Sequence, residues 1–146
     1  SAPPIMYPDC YGIDMSQIGK FIAFEAAVAL TKERGDEAIF DEIAEKCKEQ
    51  EKLDVEKMQN QVKALYEQFS LKEISCKIAE LVRPTELSWN GQLDVVYQDV
   101  EGLNASMPGY TGDWYFTGDY PTPGGNAVVN RAFLNWHNGD DSKRAY

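Results

Sequence analysis

The chain is poor in the side chains that most often carry chemistry. Its 146 residues include three cysteines and one histidine. Cys10, Cys47 and Cys76 form an odd set without a C-x-x-C pair, which excludes a disulfide framework and a cysteine zinc site. With His137 as the only imidazole, a Ser-His or Cys-His pair has one possible base. His137 falls where a helix should end, a position that favours a cationic side chain for structural reasons alone. No apolar run approaches the roughly 18 residues of a membrane span. The start, Ser1 to Ile5, has neither the basic nor the apolar stretch of a secretory signal, so no signal peptide is expected. Basic residues are also scarce. Fourteen Lys and Arg against 24 Asp and Glu give a net charge of -10, the wrong sign for a nucleic-acid or anionic-membrane surface. These features predict a cytoplasmic protein with no nucleic-acid or membrane partner.

What is present is a globular composition, 43% hydrophobic and 12% aromatic, unevenly distributed. No glycine occurs between Asp36 and Asn90, whereas eight of the 11 follow from Gly91 onward. The pattern predicts an α+β fold dominated by about five helices, with a few short strands and a Gly/Pro-rich aromatic C-terminal lobe. Three regions result: 1–35, ending in a first helix; 36–84, a helical insertion; and 85–146, the aromatic lobe.

In the first region Tyr11 to Met15 reads as a strand, with Asp14 or Ser16 capping an almost wholly apolar helix over Phe21 to Leu30 that Gly35 stops. Ile39, Ile43 and Cys47 mark one face of a second helix, which makes Cys47 a packing residue. Val55, Met58, Val62, Leu65 and Phe69 draw a stripe that predicts a third helix. Ser70 and Glu73 match a capping box opening a fourth, with Ile74, Ile78 and Leu81 inward. Beyond Pro84 the period drops to two at Leu93, Val95 and Tyr97, predicting a strand, and Asp113 to Thr117 reads as another. The prolines and glycines of 118–125 predict a turn, Asn126 the cap of a last helix, and Gly139 its end.

Candidate motifs mostly read as structure. Pro-Thr-Pro-Gly-Gly at 121–125 precedes a helix, where phosphate could bind, but no Gly-Lys-Ser/Thr follows and a structural turn is the better reading. Asn104-Ala105-Ser106 fits the glycosylation triplet by accident of composition. The acidic pairs Asp36-Glu37, Asp41-Glu42 and Asp140-Asp141 lack EF-hand spacing. Trp114, Tyr115, Phe116 and Tyr120 fit either the core of a small lobe or a stacking platform for sugars.

Two longer strings are more specific. Ala2 to Asp14, A-P-P-I-M-Y-P-D-C-Y-G-I-D, resembles the S-x-P-x-I-x-x-P-x-x-Y-G-I-D stretch of amidophosphoribosyltransferases, the glutamine phosphoribosylpyrophosphate amidotransferases. Phe116 to Thr122, F-T-G-D-Y-P-T, is similar to the F-T-G-x-Y-P-T string near the end of the same family, and Val100 to Leu103 to its V-E-G-L turn. The three occur in the family's order, whereas residues 36–84 do not match. The resemblance implies the C-terminal portion of a cytoplasmic purine-synthesis enzyme that releases ammonia from glutamine and adds it to phosphoribosylpyrophosphate, giving phosphoribosylamine. The family's N-terminal cysteine nucleophile and its acidic pair with a small-residue phosphate loop have no counterpart in this sequence. No catalytic residue is therefore expected in this portion. Tyr11, Gly12, Ile13 and Asp14 carry the fingerprint nearest the missing site, with a supporting role at most. Mg2+ is implied for the whole enzyme, as are homo-oligomers and, as partner, the remainder of its own polypeptide. One branch of the family holds an iron-sulfur cluster through positions that correspond here to Asp9, Gly112 and Tyr115, with Cys10 one place on from the first. No cluster is expected, and a packed or hydrogen-bonded junction should replace it.

Two readings from other classes stand beside this one. The Val55 to Phe69 stripe suits a stand-alone helical interaction module, and the aromatics suit a carbohydrate-binding domain.

Overall fold

Residues 2–8, 16–86, 90–109, 112–140 and 143–145 are described by a computed structural model. Among them the chain forms seven α-helices and no strand, so the fold is all-α. The helices are α1 (Ile22–Arg34), α2 (Ala38–Gln50), α3 (Lys63–Tyr66), α4 (Leu71–Val82), α5 (Val100–Ser106), α6 (Trp114–Thr117) and α7 (Pro123–His137). Short 3-10 turns lie at Ile18–Lys20 and Val55–Lys57.

Local signals explain two of the helices that build the core, α1 and α4. Gly35 ends α1 at φ 75°, with its amide turned back to the carbonyls of Lys32 and Thr31. Lys32 and Arg34 occupy the last turn, where cations oppose the helix dipole. The box at the start of α4 is complete: Ser70 Oγ accepts from the Glu73 amide and the Glu73 carboxylate accepts from the Ser70 amide.

Packing pairs α1 with α4 and α2 with α7, over the 3-10 turn at Ile18. One core draws on all three regions of the sequence, with Ile18, Phe24, Ile43, Leu65, Ile74 and Phe133 at its centre. Trp136 lies edge-on to Phe24 and Phe40, at centroid distances of 4.8 and 5.4 Å, and so joins α7 to α1 and α2. Cys47 is fully buried in this core, and burial beside Glu51 pushes its thiol up to about 12. It is a packing residue, as its spacing on α2 predicts. Lys77, largely buried on α4, is held by Glu33 of α1 and Glu80 of its own helix.

Several expectations are overturned. Residues 93–98 form no strand: Leu93, Val95 and Tyr97 are half-buried and Asp94 and Val96 lie in water, but no strand among the described residues is there to pair with them. A period of two reports extended backbone and one covered face; a ladder needs a partner as well. Asp113 to Thr117 is helical, with Asp113 at the N-cap position of α6. The V-E-G-L turn is the first turn of α5, where the Asp99 side chain caps the Gly102 amide. Pro123, Gly124 and Gly125 belong to α7, since proline at the first helical position gives up only a donor that would have had no helical partner. Asn126 therefore caps nothing, and Leu81 faces outward. Ser16 does not cap α1, whose N-cap residue is Phe21. The predicted strand at Tyr11 to Met15 lies outside the described residues.

The stripe from Val55 to Phe69 is not one helix either. A 3-10 turn, an extended stretch and the four-residue α3 replace it, leaving Val62 and Leu65 buried and Val55 exposed. The cause is tertiary. Asn130, buried on α7, donates from Nδ2 to the Gln59 carbonyl at 2.8 Å and accepts at Oδ1 from the Gln61 amide at 3.0 Å. Asn126 Nδ2 donates to the Met58 carbonyl at 2.9 Å. Two side-chain amides thus satisfy an extended backbone that would otherwise coil to satisfy itself.

Candidate functional site

The most connected polar site lies where the N-terminal strap meets the F-T-G-D-Y-P-T string. Met6 and Tyr7 both donate their amides to the Tyr115 carbonyl, at 2.9 and 3.1 Å. The Tyr66 hydroxyl donates to the Met6 carbonyl at 2.7 Å, and the Tyr120 hydroxyl to the Pro8 carbonyl. Tyr7 is buried edge-to-face against Tyr66, with ring centroids 5.2 Å apart. A strap with no regular structure of its own is thereby fixed at three consecutive residues, Met6 to Pro8.

Glycine is required where the strap, α3 and the string converge. Gly118 closes α6 at φ 72°, and a Cβ there would lie 2.5 Å from Asn60 Nδ2 and 2.8 Å from Tyr7 Cζ. Asn60 uses the close approach to donate to the Gly118 carbonyl at 3.1 Å, while its Oδ1 accepts from the Val62 amide at the start of α3. Lys63 pairs with Asp119 beside it. Gly125 lies under the ring of Tyr120. A polar depression of about 340 Å3 opens between Asn60, Lys63, Asp119 and Asn126.

The electrostatics are those of a closed junction. Burial, then the negative charges of Glu67 and Asp119, raise the Tyr7 hydroxyl well above its ordinary value of 10.0. Burial, then the neighbouring Tyr7 and Tyr120, raise the Tyr66 hydroxyl too. Both stay neutral across the physiological range and serve to hold the strap.

The other sequence candidates lie elsewhere. Tyr11, Gly12, Ile13 and Asp14, together with Asp9 and Cys10, are outside the described residues. Gly112 is exposed beside the Trp114 ring, whereas Tyr115 is half-buried and stacked on Trp114 at 5.3 Å. These two positions do not suit an iron-sulfur cluster, which is held by thiolates: one has no side chain and the other presents a stacked phenol. Among the described residues no three His, Cys, Asp or Glu side chains come together as a metal site. His137 ends α7, as the sequence implies, and its Nε2 lies 2.8 Å from Asp41 Oδ1 on α2. It ties two helices together; Cys47 bonds instead to Asn130, and Cys76 is exposed on α4. Asn60, Lys63, Tyr66 and Asn130 were not foreseen, since polar residues inside predicted helices carry no local signal of a long-range bond.

No helix among the described residues is long and apolar enough to cross a membrane. Set against known proteins, the chain matches no protein-family model, no curated protein and no solved structure.

Proposed function

We propose that the chain is the C-terminal part of an amidophosphoribosyltransferase, bracing the catalytic domains without supplying catalytic residues. The observation that carries this reading is the meeting of the two most specific strings. Met6, Tyr7 and Pro8 of the first are bonded to Tyr115 and Tyr120, at and beside the second, over a gap of more than 100 residues. The matched letters of F-T-G-x-Y-P-T also have uses here: Gly118 admits Tyr7 and Asn60, and Tyr120 seals the strap against Gly125. A sequence likeness in two separated segments gains weight when the segments depend on each other in space.

In this reading the whole protein takes glutamine and phosphoribosylpyrophosphate, with Mg2+ on the diphosphate, and forms phosphoribosylamine in the cytoplasm as a homo-oligomer. Its nucleophilic cysteine and phosphate loop lie upstream of the matched strings. Of the positions that correspond to cluster ligands in one branch of the family, Tyr115 takes part in the junction, its carbonyl accepting from the Met6 and Tyr7 amides.

The test combines the reading frame and an assay. The frame upstream of Ser1 is expected to encode an N-terminal cysteine and an acidic pair followed by a small-residue loop. The complete protein should form phosphoribosylamine from glutamine, and residues 1–146 alone should form none. A frame without those motifs sinks the assignment, and phosphoribosylamine made by residues 1–146 alone sinks the bracing role.

A further inference from the structure

A second surface, apolar and open, adjoins the junction. Two depressions of about 340 and 560 Å3 meet at Ala2 and Phe116, making one trough. Leu103 of α5 and Met107, which follows its last turn, line one end, Phe21 and Tyr97 the other, and Ile5 lies along it. Among the described residues, charged side chains reach it only at Asp113 and Lys20. Ile5 and Met107 are 42% and 47% exposed, so large apolar groups stand in water along a continuous patch.

We infer that this trough seats the polypeptide that precedes Ser1 in the complete enzyme. The inference rests on the amidophosphoribosyltransferase reading and names the surface through which the bracing acts. Ala2 lines both depressions, and consecutive Cα atoms are about 3.8 Å apart, so any chain leading into Ala2 starts at the trough. A covalently attached neighbour also has an effective concentration of roughly millimolar, which favours it over a free partner for the same surface. The lining suits apolar side chains with small polar contacts at its rim, the composition of an intramolecular interface.

The experiment compares the complete enzyme with residues 1–146, each with and without Met107→Lys. Met107 is exposed, so in residues 1–146 the substitution should move the thermal midpoint by no more than about 2 °C. In the complete enzyme it should lower the midpoint by about 4 °C or more, because a charge is forced into a covered apolar contact. Hydroxyl-radical oxidation of Met107 should be at least about fivefold slower in the complete enzyme, as expected for a side chain excluded from solvent. Equal oxidation rates in an active complete enzyme overturn the inference and leave the enzyme reading intact. Self-association of residues 1–146 that Met107→Lys abolishes overturns it in favour of a second copy. Absence of phosphoribosylamine formation by the complete protein removes the enzyme reading, and the inference with it.

Discussion

Gly118 shows how one residue can decide whether a junction forms. Its backbone is left-handed at φ 72°, and the space where a Cβ would point is filled by the Asn60 amide and the Tyr7 ring. Gly118→Ala must therefore strain the backbone and displace either the Asn60 bond or the strap. Left-handed strain and overpacking each cost on the order of 1–3 kcal/mol, so a loss of about 2–4 kcal/mol is expected. Urea titration at unchanged slope would measure it. Gly124→Ala is the matched control: it sits in the first turn of α7 with nothing within 4 Å of its missing Cβ, and should be neutral or slightly stabilising. Equal midpoints for the two variants would show that the close approach at Gly118 has no energetic weight. The glycine was legible in F-T-G-D-Y-P-T; its neighbours were not, because Asn60 and Tyr7 are brought to it from 58 and 111 positions away along the chain.

At the scale of elements, the helices that could be read were those with their own start and stop signals. Helix α1 has Gly35, and α4 has its capping box; both ends are local chemistry and survive in any tertiary setting. The segment from Val55 to Phe69 had the right periodicity but only a four-residue helix inside it, since the amides of Asn126 and Asn130 outbid the helical bonds of residues 58–61. Periodicity records which side chains are buried, and Val62 and Leu65 are buried in either geometry. The strand reading at Leu93, Val95 and Tyr97 failed for a related reason: residues 93–98 have one covered face but no partner strand among the described residues. For α4 the local signal can be tested directly. Ser70→Ala should cost about 1 kcal/mol by removing the cap. The bond from the Ser70 amide, then that from its hydroxyl, holds the Glu73 carboxyl below its ordinary value of 4.5, with Arg34 adding to the effect. A depressed carboxyl stabilises fully above its unfolded pKa and loses that stabilisation as pH falls through the folded value. The stability of Ser70→Ala should thus fall less steeply below about pH 4.5 than that of the parent. Parallel acid limbs in urea midpoints measured from pH 6 to 3 would contradict the box's electrostatic role.

For the whole molecule the tyrosine clamp sets an alkaline limit. Tyr7 and Tyr66 lie between the strap, α3 and the F-T-G-D-Y-P-T string, so ionising either places a phenolate in a desolvated contact. Both hydroxyls are raised in the folded state, chiefly by burial, whereas in the unfolded chain they ionise near 10.0. Above that pH the unfolded state releases protons that the folded state retains, so stability declines as pH rises. Each such tyrosine contributes a slope of up to about 1.4 kcal/mol per pH unit. The sequence holds eight tyrosines, and those that ionise alike in both states add nothing to the slope. Tyr66→Phe keeps the edge-to-face ring contact while removing one titrating hydroxyl and its bond to Met6. It should lower stability at pH 8 by about 1 kcal/mol, the worth of a typical hydrogen bond, and flatten the decline above pH 10. Urea midpoints for the two proteins should therefore converge between pH 10 and 11.5. Midpoints that stay separated by a constant interval over that range would mean that the strap opens before either tyrosine ionises, and that the clamp does not hold the molecule together.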